Sequence, residues 1–235
     1  MINRPKDTID HSDDLFFWEK SLSSRGFHCL LGIDEAGRGP LAGPVVAAAV
    51  ILPAEWYRAG LPPDLSGIHD SKKCSPKKRY DLFERMTHHP MIKFGIAKID
   101  AEEIDRINIL KATHKAMNRA ALLVRDPVAD HALVDGLPVN GLSIPHTAII
   151  KGDSKSYSIA AASILAKEYR DRLMVQWDAT YPEYDFAKHK GYGTAVHLEA
   201  LTRQGACPIH RRSFSPVTRV LASGDQLELE LDSTD

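Results

Sequence analysis

At 235 residues the chain is long enough for one large domain or two small ones, and its 43% hydrophobic content is ordinary for a soluble protein. Thirty Lys and Arg against 31 Asp and Glu leave a net charge of −1, which alone gives no sign of a nucleic-acid partner. No apolar stretch reaches the roughly 20 residues that a membrane helix needs, and Cys29, Cys74 and Cys207 are too far apart for a disulfide framework or a zinc knuckle.

Residues 1–25 read as a polar arm or short helix. Met1 to Lys20 mixes acids and bases without a continuous apolar core, so no signal peptide is expected and the expected location is cytoplasmic. The body begins near Phe27. His28 to Ile33 and Val45 to Leu52 are apolar runs of strand length, separated by a Gly/Pro-rich turn at 36–44. The second run has no polar alternation and is expected to be buried on both faces. After a Pro/Gly-rich loop, Ser75-Pro76 opens a helix to about Met86, with serine as cap and proline in the first turn. Met91 to Ile99 reads as a third strand. Asp100 and Glu103 have the spacing of a capping box, and one helix is expected over 101–124.

His131 to Val134 is a short strand ending in Asp135-Gly136. His146 to Ile150 is another, leading into Lys151-Gly152-Asp153. A long helix follows from Ser158 to about Trp177. Its first turns, Ala160 to Ala166, are small and apolar enough to pack closely on a sheet. A last helix is expected over 194–204. The tail from 222 to 235 carries five acids without a base and is expected to be disordered. Between the two acidic ends, residues 21–221 hold 27 bases against 21 acids, a moderately basic body that suits an anionic partner and equally a solvated surface. Strands in series, then strands alternating with helices, predict an α/β protein: a mixed central sheet flanked by helices.

Ligands gather near the carboxyl ends of strands in such sheets. Asp34 and Glu35, Asp135 and Asp153 each follow a predicted strand, so three strand ends deliver carboxylates to one region. Acids at such ends also serve as ordinary turn residues. As a set, they match the oxygen ligands that magnesium or manganese take. Two such ions can activate a water on one side of a phosphodiester and stabilise the leaving oxygen on the other. In that reading Asp34 bridges the ions, and Glu35, Asp135 and Asp153 complete their shells. The glycines of Gly37-Arg38-Gly39 let backbone approach a ligand, and Arg38 offers a planar fork to phosphate.

These segments resemble the bacterial ribonuclease HII family, the type 2 ribonucleases H. The resemblance rests on Gly32-Ile33-Asp34-Glu35-Ala36-Gly37-Arg38-Gly39-Pro40, Asp70-Ser71-Lys72-Lys73, Val134-Asp135-Gly136, Lys151-Gly152-Asp153 through Lys167, and His189-Lys190-Gly191-Tyr192-Gly193-Thr194. They stand in family order over residues 28 to 215. The resemblance implies an RNase H-like fold with a helical C-terminal part, spanning 26–221 between the arm and the acidic tail. It implies cleavage of the RNA strand of RNA–DNA hybrids and of ribonucleotides embedded in duplex DNA, with Mn2+ or Mg2+, leaving 5′-phosphate and 3′-hydroxyl ends. The implied catalytic and metal residues are Asp34, Glu35, Asp135 and Asp153. The implied substrate-binding residues include Gly37, Arg38 and Gly39, whose backbone senses the ribose 2′-hydroxyl, and Tyr192, whose ring stacks on a deoxyribose. Lys72 and Lys73 are candidate phosphate contacts, with solvated loop charge as the alternative. Partners implied are the hybrid and ribonucleotide-containing duplex, with no membrane, and the expected state is a monomer.

Other candidates carry less. His189, His197 and His210 are too loosely spaced for a metal set and read as surface or structural. Lys151, Lys155, Lys190, Arg211 and Arg212 are possible phosphate contacts or solvated charges. Two rival functions remain at this level: a metal nuclease of similar fold that cuts only DNA, and a hybrid-binding protein without catalysis. Four acids argue against the second, because a pure binder gains nothing from carboxylates facing phosphate.

Overall fold

Five strands form one sheet in the computed structural model, which describes residues 14–69 and 74–222. They are β1 (Leu30–Ala36), β2 (Val45–Ile51), β3 (Lys93–Ile99), β4 (His131–Asp135) and β5 (His146–Ile149), in the spatial order β3-β2-β1-β4-β5. β1 pairs antiparallel with β2, and β2 with β3, whereas β1–β4 and β4–β5 are parallel. The helices are α1 (Phe17–Ser24), α2 (Trp56–Ala59), α3 (Pro76–His88), α4 (Ala101–Ile107), α5 (Ile109–Leu123), α6 (Tyr157–Thr180), α7 (Phe186–His189) and α8 (Ala195–Gln204). Among the described residues no helix is long and apolar enough to cross a membrane.

β2 lies fully buried, as its unbroken apolar run predicts. Its alternate residues feed two cores. Val46, Ala48 and Val50 pack with the first turns of α6, and Val45, Ala47, Ala49 and Ile51 pack with α5. The small start of α6 reaches the sheet closely at Gly32, where a Cβ would lie 2.1 Å from the Ser158 carbonyl carbon. No residue with a side chain fits there unless the helix moves away. α1 belongs to the same core through Leu22, as does Phe16 just before it. Its Glu19, fully buried, accepts from the Ser156 hydroxyl at 2.6 Å and the Ser158 N–H at 3.0 Å, at the N-terminus of α6. The described part of the predicted arm is thus packed onto the body.

Ser75 caps α3 as expected, its hydroxyl accepting from the Lys78 N–H at 3.3 Å. Two expectations fail nearby. The single helix predicted over 101–124 is two helices, α4 and α5, broken at Asn108, whose φ of 70° and ψ of 162° are non-helical. The Asn108 side chain then caps α5 by accepting from the Lys111 N–H at 3.0 Å. The Asp100–Glu103 capping box does not form either. Asp100 accepts from Lys98 Nζ at 2.8 Å, and Glu103 pairs with Arg106 and Lys115. Lysine and arginine partners outcompete a backbone amide that water also satisfies. Lys72, Lys73 and the acidic tail from 223 onward lie outside the described residues.

Candidate active site

The parallel register sets the site. Ile33 lies opposite Val134, so the next residues, Asp34 and Asp135, stand side by side at the carboxyl ends of β1 and β4. β1 continues through Ala36 in its pairing with β2, so Asp34 and Glu35 sit inside the end of the strand rather than after it. Asp34, Glu35 and Asp135 line one cleft of about 240 Å³ together with Gly37, Arg38, Gly39, Ser163, Lys167 and Tyr192. Asp153 is not among its walls. It is buried in the 3-10 turn Gly152–Ser154 after β5, and the neighbouring Gly152 N–H donates to Asp135 Oδ1 at 2.6 Å. That bond ties the turn carrying Asp153 to the acid at the end of β4.

The electrostatics are those of acids held together at a cost. Burial pushes the Asp34 carboxyl well above the usual carboxylate range, and the charges of Glu35 and Asp135 push it further. The Ser163 hydroxyl and the Glu35 N–H, at 2.6 Å from Asp34 Oδ1, act in the opposite sense. Glu35 is raised by burial too, against the pull of Arg38, whose Nη1 lies 3.3 Å from Glu35 Oε1. Arg38 therefore meets a carboxylate of the site through Nη1, while about half of its side chain stays exposed. Oxygen donors that destabilise one another's charge are a fit for a hard divalent cation. Among the described residues no three His, Cys, Asp or Glu side chains converge in ligating positions as they stand.

Two groups had no role in the sequence reading. Ser163 and Lys167 lie four residues apart on α6, and both enter the cleft. Their signal in the sequence is that spacing on the helix that follows Asp153. Beneath the cleft lie Arg170 and Arg211, both with no exposed surface. Arg170 donates to the carbonyls of Ala42, Pro44 and Lys190, and Arg211 to those of Gly37, Arg38 and Gly43. Arg211, a candidate phosphate contact by sequence, is thus spent on the backbone. Lys155 Nζ donates to the Ile150 carbonyl and Lys190 Nζ to that of Ala187. The Arg212 N–H donates to Asp105.

Tyr192 is 43% exposed, with Lys167 Nζ 5.9 Å and Arg170 Cζ 6.0 Å from its ring centroid. It is a half-exposed wall of the cleft, not a core tyrosine. Its backbone is held by histidines. His197 Nδ1 lies 2.9 Å from the Tyr192 carbonyl and so carries the proton. His197 Nε2 then accepts from His210 Nε2–H at 3.0 Å, and His210 Nδ1 accepts from the Cys207 N–H at 3.0 Å. Burial pushes both rings down to about 4, so the relay is neutral at ordinary pH. His189 closes the same loop by accepting from the Gly191 N–H at 3.1 Å. Of surface and structural roles, these three histidines take the structural one.

Comparison with known proteins converges on one family. Residues 31–217 match the family model described as ribonuclease HII. A ribonuclease HII from Syntrophotalea carbinolica is 49% identical over 205 residues, covering 87% of this chain and 94% of that one. One from Chlamydia muridarum is 50% identical over 216 residues, covering 90% and 95%. The crystal structure of ribonuclease H2 from Pyrococcus horikoshii superposes with a TM-score of 0.68 at 25% identity, over 82% of this chain and 96% of that one. Bst-RNase HIII in complex with Mn2+ has a TM-score of 0.70 at 16% identity over 96% of this chain and 76% of that one, a likeness of fold alone. The mixed sheet with its flanking helices is therefore an RNase H-like fold, and the chain belongs to the ribonuclease HII family and is a ribonuclease H, a phosphodiester hydrolase.

Proposed function

We propose that this cleft hydrolyses the RNA strand of RNA–DNA hybrids and cuts on the 5′ side of ribonucleotides embedded in duplex DNA. The observation that carries this reading is the placing of Asp34, Glu35 and Asp135 across one cleft from Gly37-Arg38-Gly39 and Tyr192. Asp34, Glu35 and Asp135, joined by Asp153 through its turn, would hold Mn2+ or Mg2+. Bound in a pair, such ions supply an acidified water and a counter-charge for the leaving oxygen. The water oxygen bonds to phosphorus as the bond to the upstream 3′ oxygen breaks; that oxygen leaves as a 3′-hydroxyl, and the phosphate stays 5′ on the ribonucleotide. The chain's own part is to orient the sugar. Telling ribose from deoxyribose requires contact with the 2′-hydroxyl, which donates and accepts. Backbone at Gly37 and Gly39 approaches it without side chains between. The open face of the Tyr192 ring stacks on the next deoxyribose, favouring an RNA-to-DNA junction. Lys167 and Arg38 offer positive charge to the phosphate, and Lys72 and Lys73 remain candidates for contacts farther along the duplex.

The test uses two duplexes that differ in one 2′-hydroxyl. With Mn2+ or Mg2+, the duplex with a single ribonucleotide is cut on its 5′ side and the all-DNA duplex is not. Equal cutting of both would replace this reading with that of a DNA nuclease. Asp34→Asn is expected to abolish cleavage, by at least about a thousandfold in kcat, while hybrid binding by fluorescence anisotropy persists. Cleavage that survives this change removes Asp34 from the metal set.

A further inference from the structure

We propose that Arg170 and Arg211 are the positioning residues that set the sugar and junction selectivity of the cleft. This rests on the hydrolytic reading above. Both guanidiniums are fully buried, and among the described residues neither makes an ion pair. A buried cation without a carboxylate partner is costly, and a core is more stable without one unless its donors are used elsewhere. Here they are used on backbone. Arg211 Nη2 and Nη1 donate to the Gly37 and Arg38 carbonyls at 2.5 and 2.9 Å, and its Nε donates to Gly43 O at 3.0 Å. Arg170 takes Pro44 O at 2.9 Å, Ala42 O at 3.0 Å and Lys190 O at 2.9 Å.

The consequence follows from peptide geometry. In a trans peptide the C=O of one residue and the N–H of the next point in opposite directions. Carbonyls of Gly37 and Arg38 pulled down onto Arg211 therefore turn the N–H groups of Arg38 and Gly39 the other way. Among the described residues those two N–H groups donate to nothing, and both residues line the cleft. They are donors held ready for a sugar or phosphate oxygen, and Arg211 holds them. Gly37, with φ of 93°, is needed for the same arrangement, since a Cβ there would lie 2.1 Å from Arg170 Nε.

Arg170 has a second effect. Its three carbonyls belong to two separate segments, 42–44 and 190. Its Cζ also lies beside the Tyr192 ring. The Leu41 N–H donates to Gly191 O and the Arg211 N–H to Leu41 O, both at 2.8 Å. The loop that would read ribose and the loop that would stack on deoxyribose are thus one braced unit, and Arg170 fixes the span between them. A junction substrate must satisfy both readers at once. A uniform hybrid presents no deoxyribose to Tyr192 on the cut strand, so it depends less on that span.

The experiment compares wild type with Arg170→Lys and Arg211→Lys, each keeping charge but offering one cluster of donors in place of a planar fork. Substrates are a duplex with one ribonucleotide, a uniform RNA–DNA hybrid and an all-DNA duplex. Melting temperature, and its shift on adding Mn2+, report folding and the metal site separately. For Arg170→Lys, kcat/KM on the single-ribonucleotide duplex is expected to fall about tenfold or more relative to that on the uniform hybrid. For Arg211→Lys, the preference for ribose over deoxyribose is expected to shrink on both backgrounds. For a folded Arg170→Lys, an equal loss on the two cleaved substrates, or no loss, overturns the proposal; for a folded Arg211→Lys, cutting of the all-DNA duplex relative to the ribonucleotide substrates that stays as in wild type does so. Should a lysine variant not fold, Arg170→Gln and Arg211→Gln carry the same test, since each removes the planar fork that joins three carbonyls. Cutting of the all-DNA duplex by wild type would instead overturn the hydrolytic reading; the bracing role then stands only if the Mn2+-independent melting loss of the two variants exceeds that of Arg106→Lys, an exposed arginine, and falls otherwise.

Discussion

At the residue scale, the site is a local conflict. Asp34 sits almost without exposure between two other acids, and its carboxyl is raised by burial first and by Glu35 and Asp135 second. A group whose folded pKa is raised costs the folded state free energy at pH above its unfolded value, neutral pH included. Replacing it with asparagine keeps the oxygen that accepts from the Glu35 N–H and removes the charge. Asp34→Asn is therefore expected to stabilise the metal-free protein at pH 7, by on the order of 1 kcal/mol, while ending catalysis. Urea melts with and without Mg2+ check this. The wild type should gain stability from the ion and the variant should not. A variant less stable than wild type without metal would show that the acids are not in conflict.

At the element scale, most of the fold was legible because hydrophobic period and capping residues act locally. The unbroken run of β2 and the small-residue start of α6 predict a strand buried on both faces and a helix pressed on the sheet, and Gly32 against Ser158 is that contact. Asp34, Glu35 and Asp135 were legible as a group because strand ends are visible in sequence. Arg170, Arg211 and the histidine relay were not, because their partners are mostly backbone carbonyls and N–H groups, which nearly every residue carries. The break at Asn108 was missed for a related reason. Apolar spacing runs through Ile104, Ile107, Ile109 and Leu110 without interruption, and only the backbone of Asn108 departs from it. Its φ is positive, and its side chain caps α5. Asn108→Ala loses the cap and keeps the strain, an expected cost of about 2 kcal/mol. Asn108→Gly loses the cap but relieves the strain and should stay within about 0.5 kcal/mol of wild type. Chemical denaturation of both variants separates these outcomes, and equal losses would mean that the positive φ carries no strain.

At the scale of the whole molecule, pH sets two groups of buried charges against each other. His197 and His210 are held down to about 4 by burial, against a free value near 6.5. Above pH 6.5 both are neutral, folded or unfolded, and pH has no leverage on them. As pH falls from 6.5 towards 4, the unfolded chain takes up protons that the folded chain refuses, so stability is lost. The loss approaches about 3 kcal/mol for one such histidine, and for the pair it is less than double because they titrate as one relay. Asp34, Glu35 and Glu19 are shifted up, so they bind protons in the folded state first and return stability as pH falls through their folded values. A divalent ion on the acids competes with those protons and should remove much of that return. Acid sensitivity is therefore expected to be steeper with Mg2+ than without it. The histidine part is isolated with His210→Gln, whose amide can still donate to His197 and accept from the Cys207 N–H but takes no proton. Between pH 7 and pH 4.5 the variant is expected to lose about 2 kcal/mol less stability than wild type, measured by urea denaturation at each pH. A difference between the two proteins that does not change with pH would mean that the relay stays neutral for reasons other than its burial in the fold.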